Sequence, residues 1–174
     1  MKSLLSIPHH LDRPSMSCRA IIETPKGSRT KYDYDPESGL FLLDKLVPEG
    51  MSFPLDFGFI PSTKAEDGDP LDILVLHDEV IPVGALVEVR LVGVIVGDQR
   101  ENGGPAVSND RLIGISKASR LHERINDVQQ LGEAFTDQLA SFWINYNELL
   151  GRTFDCKGVR GPGEAATLVE AASS

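Results

Sequence analysis

Glu66-Asp67-Gly68-Asp69-Pro70-Leu71-Asp72-Ile73-Leu74-Val75-Leu76 decides how this chain is read. Asp67, Asp69 and Asp72 crowd together and an apolar run of strand length follows at once. Gly68 admits backbone angles that other residues avoid, and Pro70 fixes φ and removes an N–H donor, so a helix cannot run through. The segment reads as a tight loop delivering acids to the mouth of a buried strand. Carboxylates this close repel unless a cation, a proton or N–H donors compensate them. Mg²⁺, a hard ion that prefers oxygen, suits that need. On the aspartates alone, a solvated acidic turn before a strand is the competing reading. An EF-hand is a poor fit, because Asp72 falls where the loop requires glycine and Pro70 intrudes.

Around this stretch, 174 residues with 41% hydrophobic and 25% charged content describe one globular domain over 1–174, with 1–17 as an irregular lead-in. A formal net charge of −9 argues against nucleic-acid binding, which needs a basic footprint. Cys18 and Cys156 stand apart in no metal or disulfide pattern. Residues 1–10 lack the apolar core of a signal peptide, and the apolar 80–96 region is broken by Pro82, Glu88 and Arg90. No membrane association and a cytoplasmic location are the expectations. His9 and His10 read as a surface pair.

Cys18–Glu23 reads as a short strand, and Lys31–Asp35 with Leu40–Leu46 as a hairpin across a Pro/Gly turn. Phe53–Pro61 reads as rigid loop, Asp72–Leu76 as the buried strand and Leu86–Val96 as an alternating strand. Residues 97–110, rich in glycine, read as a long loop, followed by strand Leu112–Ile115. Leu131, Phe135, Leu139, Phe142, Tyr146 and Leu149 recur at helical steps up to Gly151. Trp143 falls one step off that row, which suggests a subunit contact. Glu164–Ala172 reads as a second helix. Many short strands with a late helix predict an α+β, mostly β fold: an antiparallel barrel with helices against it.

From about Cys18 to Leu150 the chain resembles the soluble family I inorganic pyrophosphatases. The resemblance is carried by Glu66–Asp72, by Lys31-Tyr32-Asp33 and by Phe53-Pro54 through Ile60. It implies a five-stranded OB-like closed β-barrel flanked by two helices. It also implies Mg²⁺-dependent hydrolysis of pyrophosphate to two phosphates and a homo-oligomer, usually a hexamer in bacteria. By the same resemblance Asp67 and Asp72 are metal ligands, Asp72 bridging two ions. Asp69 would take the proton of the attacking water and also face the metals. Glu23 would be an outer carboxylate of the cluster, Lys31 a phosphate-binding lysine, and Tyr146 a hydrogen-bond donor to the leaving phosphate. Paired cations suit this chemistry, since they acidify water and neutralise developing charge.

Several positions depart from the pattern. Lys45 stands for an arginine, Arg111 and Asn147 for lysines, and Phe53 and Phe57 for tyrosines. Lys45 and Arg111 keep the charge for substrate binding. Two further metal-binding aspartates are expected after Val96. Counting forward from Gly93 places Gln99 at the first, with Asp98 one residue early; counting back from Arg111 places Asn109 at the second, with Asp110 one residue late. Asp98 and Asn109 are the ligands this reading favours. A neutral amide holds a hard cation weakly, so Asn109→Asp should lower the Mg²⁺ requirement. The departures leave two alternatives: a diverged phosphate-binding or regulatory module with weak turnover, or a hydrolase of another phosphoanhydride.

Overall fold

A computed structural model describes residues 3–174; residues 1–2 of the lead-in lie outside the described residues. Strands β1 (Ser17–Thr24), β4 (Asp56–Ile60), β5 (Leu71–Leu76), β6 (Leu86–Glu101) and β8 (Arg111–Ser116) pair in that ring order with β6 and β8 exchanged, and β6 returns to β1. The ring is therefore closed. It is not wholly antiparallel as the sequence suggested: β5 and β8 run parallel, Asp72 opposite Arg111. The hairpin β2 (Thr30–Asp35) and β3 (Leu40–Leu46) forms its own two-stranded sheet, as expected from its turn.

Alternation along β5 divides the core, because successive strand residues face opposite sides. Ile73 and Val75 join Ile22, Leu91 and Leu112, covered by Ala165, Ala166 and Val169 of α2 (Pro162–Ala172). Leu74 and Leu76 join Val92, Ile113 and Ile115 on the other side, under α1 (Glu133–Leu149). Each buried valine, leucine or isoleucine among these contributes roughly 1.5–3 kcal/mol relative to exposure. At Gly58 a Cβ would fall 1.8 Å from the Ile21 carbonyl oxygen, so only glycine lets β4 lie this close on β1.

Three expectations are corrected. Phe53–Pro61 is not all loop, since Asp56–Ile60 is β4, buried at every position; burial on both sides leaves no alternation to read. The expected 97–110 loop is half strand: β6 continues to Glu101 and returns as β7 (Val107–Ser108). Asn102 and Gly103 both take positive φ (44° and 74°), and the Gly104 N–H closes the turn on the Glu101 carbonyl at 2.7 Å. Asn-Gly is a strong hairpin signal, and it was the cue available in the sequence. Finally, β9 (Arg152–Arg160) went unread and pairs with the far half of β6. Its alternation is hidden because only Phe154 is buried, set against Gly97, where a Cβ would lie 2.3 Å from the Phe154 ring.

The lead-in is pinned to the ring: Leu5 and His9 carbonyls accept the Ser62 and Arg19 N–H groups, each at 2.7 Å. A second tie joins two loops. Asp78 Oδ1 accepts the Ser119 hydroxyl at 2.5 Å, and Oδ2 accepts the Arg120 N–H at 2.8 Å. Led by the Ser119 bond, these donors draw the Asp78 carboxyl down to about 2 from the usual 3.8. A depressed folded value means the tie stabilises fully above the unfolded value and is lost as pH falls from about 4 towards 2. Asp78→Asn should therefore lower the melting temperature at pH 7, with the deficit shrinking as the pH approaches 2. Melting curves across that range check it, and a deficit unchanged at pH 2 would contradict the assignment.

Candidate active site

The acid loop between β4 and β5 is a short closed turn. The Gly68 N–H donates to the Ala65 carbonyl at 3.0 Å, and the Ala65 N–H to the Asp69 carbonyl at 2.7 Å, with Gly68 at φ 95°. Asp67 Oδ1 accepts the Asp69 N–H at 3.0 Å. The turn thus fixes Asp67 and Asp69 at the rim, and β5 carries Asp72 beneath them.

These acids line a cavity of about 530 Å³ together with Glu23, Lys31, Lys45, Arg111 and Tyr146. The expected acid-loop, hairpin, barrel and helix residues therefore meet at one place. Glu23, at the end of β1, is buried and accepts the Tyr34 N–H at 2.8 Å. Burial chiefly, with Asp72 and Asp33 nearby, pushes its carboxyl up to about 8 despite that bond and Lys31. Burial and Asp67 raise Asp69; burial raises Asp72 too, against the opposing pull of Arg111. Lys31 pairs with Asp33 and lies 3.6 Å from Asp44 Oδ2. Burial disfavours its ammonium, but Asp33, Asp44 and Glu23 outweigh burial and hold it above the ordinary lysine value. Lys45 Nζ lies 3.1 Å from the same Asp44 oxygen.

The floor is aromatic. Trp143 is 1% exposed, in edge contact with Tyr146 (5.6 Å between ring centres) and tilted on Phe57 (5.5 Å). It belongs to the core, which corrects the suggested subunit contact: the buried stripe of α1 runs through Leu139, Trp143, Tyr146 and Asn147, one position round from the expected row. Phe53 and Phe57 pack in this cluster, so at Phe53 a missing hydroxyl leaves no polar gap. Tyr146 presents its ring to the cavity, and burial raises its phenol.

β6 and β8 supply the last wall. Alternation puts Gln99 and Glu101 on the cavity side. Asp98 takes the opposite face, its carboxylate 3.8 Å from Lys157 Nζ. The expectation that Asp98 serves the metals is corrected by that register. Asn109 lines the cavity, while Asp110 turns away to accept the Gly97 N–H at 3.1 Å. Arg111 Nη1 lies 2.9 Å from Asp72 Oδ2. Three charged lining residues were not expected here: Asp33, Glu101 and Arg152, with Arg152 Nε 3.1 Å from Glu101 Oε1. Asp33 was legible from the Lys-Tyr-Asp alternation. Glu101 and Arg152 were not, because the extension of β6 beyond Val96 and the whole of β9 gave no strand signal.

No three His, Cys, Asp or Glu side chains among the described residues converge closely enough to cage an ion. The donors fit Mg²⁺ nonetheless, since that ion is usually held by one or two carboxylates, with waters and substrate phosphates completing the octahedron. Among the described residues no cation lies within ion-pair reach of Asp67 or Asp69, and Lys31 offsets the Asp69 charge only in part.

An OB-like ring with an acid loop facing lysine and arginine across one cavity defines a protein built for cation-assisted chemistry on phosphates. The Pyrophosphatase family model, described as inorganic pyrophosphatase, matches residues 20–174. An inorganic pyrophosphatase of Thermus thermophilus is 38% identical over 149 residues, covering 86% of this chain and 82% of that protein. One from Corynebacterium efficiens is 33% identical, covering 88% and 94%. The crystal structure of the Thermus thermophilus inorganic pyrophosphatase superposes with a TM-score of 0.89 at 33% identity, covering 98% and 97%. That from Helicobacter pylori gives 0.84 at 29%, covering 94% and 95%. The chain belongs to the inorganic pyrophosphatase family.

Proposed function

We propose that this protein hydrolyses inorganic pyrophosphate to two phosphates with the help of Mg²⁺. The observation that carries the reading is the meeting of Asp67, Asp69 and Asp72 with Lys31, Lys45, Arg111 and Tyr146 around one cavity of fitting polarity. Asp67 and Asp72 would hold the divalent ion, with Glu23 behind them; Gln99 and Asn109 bring no charge to it. When bound, the ion acidifies water and neutralises developing charge on phosphate oxygens. Asp69, at the rim, accepts the proton of the attacking water, for which a raised carboxyl value is suited. Lys31, Lys45 and Arg111 hold the phosphate oxygens, and Tyr146 donates to the departing phosphate as the bridging P–O bond breaks. The aromatic floor excludes water, which strengthens each of these interactions.

No helix of the described residues is long and apolar enough to cross a membrane. The unpaired thiols of Cys18 and Cys156 support a reducing, cytoplasmic setting. Exposed Leu40, Leu42, Leu43 and Leu46 on β3 support a homo-oligomer, hexameric by resemblance, and the net charge of −9 speaks against a nucleic-acid partner. Phosphate release from pyrophosphate is expected with Mg²⁺ and should cease with a chelator. Tight pyrophosphate binding without any release would instead favour a diverged binding module, the reading that the neutral Gln99 and Asn109 support.

A further inference from the structure

Arg111 joins two walls of the cavity. The parallel register sets it beside Asp72, and its side chain is 6% exposed. Nη1 meets Asp72 Oδ2 at 2.9 Å, donates to the Asn109 carbonyl at 3.1 Å, and also bonds Asn109 Oδ1. The guanidinium lies over the Trp143 ring, 4.5 Å from its centre. Behind it, the Asn109 amide donates to Gln99 Oε1 at 2.8 Å. The run Asp72–Arg111–Asn109–Gln99 is closed on itself: each amide oxygen of this wall already faces a donor, and one oxygen of Asp72 faces a full positive charge. A divalent ion placed here would meet a like charge and would have to strip these bonds. Nothing comparable occupies the acid-loop wall, where Asp67 and Asp69 have no ion-pair partner among the described residues.

We propose that Arg111 is a built-in cation that takes the place of a divalent ion on the Gln99/Asn109 side of the cavity. Metal then loads on the acid-loop side alone. The guanidinium supplies the positive charge opposite it, with Nη2, which has no acceptor among the described residues, left for a phosphate oxygen. An arginine is charged at every working pH and needs no loading, and its planar fork suits phosphate. Its position over Trp143 and its ion pair with Asp72 hold it from two directions, which opposes its swinging aside to admit an ion. The proposal rests on the reading of this cavity as a metal-assisted phosphate site, and it reverses the expectation that Asn109→Asp alone strengthens metal binding.

Mn²⁺ is a suitable probe, since it shares the oxygen preference of Mg²⁺ and its free form is counted by electron paramagnetic resonance. The full chain would be titrated as wild type, as Asn109→Asp and as Asn109→Asp/Arg111→Gln. Wild type and Asn109→Asp should bind equal numbers of Mn²⁺, because the new carboxylate pairs with Arg111. The same single variant should melt higher than wild type without metal. The double variant, shown folded by circular dichroism, should bind one more Mn²⁺ per chain. An extra Mn²⁺ in Asn109→Asp, a lower metal-free melting temperature for it, or no extra ion in the folded double variant would each overturn the proposal. If the double variant does not fold, the two readouts on Asn109→Asp decide. Phosphate release is measured separately: its absence in wild type strikes the proposed reaction, whereas the differences in Mn²⁺ count judge Arg111 alone.

Discussion

Asp72→Asn should reduce Mg²⁺-dependent phosphate release by about a thousandfold or more, since it removes charge from a carboxylate proposed above to hold the ion. Two opposed effects act on its stability: burial disfavours the Asp72 charge, and the Arg111 pair favours it. From repulsion among the acids alone, losing this charge should stabilise the metal-free protein. But Arg111 lies 2.9 Å from Asp72 Oδ2 and is almost wholly buried, so its attraction outweighs the more distant Asp67 and Asp69. Removing one partner leaves a buried guanidinium incompletely paired. The asparagine oxygen still accepts a bond, and Asp72 is partly open to water, which limits the cost to about 1–3 kcal/mol. Steady-state phosphate release and urea unfolding of the metal-free protein measure the two effects. Activity within a few-fold of wild type would remove Asp72 from the machinery; a more stable variant would show repulsion dominating the pair.

Trp143→Ala carries the largest expected cost in stability, about 3–5 kcal/mol, because it empties the centre of the aromatic cluster. Phe57, Phe142 and Tyr146 all lose a face, and the Arg111 guanidinium loses its platform. Trp143→Phe should cost much less, about 1–2 kcal/mol, since the buried indole Nε1 has no acceptor among the described residues and its removal leaves no broken bond. Urea unfolding distinguishes them. Equal losses for Ala and Phe would mean that the indole N–H, not ring volume, holds the floor together.

The sequence alone determined what is local. Gly68 and Pro70 dictate a turn, the apolar run after Asp72 dictates a buried strand, and helical spacing dictates α1, because turn chemistry and side-chain period act over a few residues. The close acids announced a site, and the resemblance assembled Glu23, Lys31 and Tyr146 around it. What the tertiary structure decided was register and partnership. Counting along the chain left Asp98 against Gln99 and Asn109 against Asp110 open, and the pairing of β6 with β7 and β8 turned the neutral member of each pair inward. A single-residue slip reverses every side chain on a strand, so no local signal could settle it. Trp143 moved from the edge to the centre of the helix face for a related reason: which face of α1 is buried depends on what packs against it, β9 and the Phe53 and Phe57 rings, and not on its own period alone. The bond run from Asp72 through Arg111 to Asn109 and Gln99 joins strands far apart in the chain. It exists only once the parallel pairing of β5 and β8 has brought them side by side.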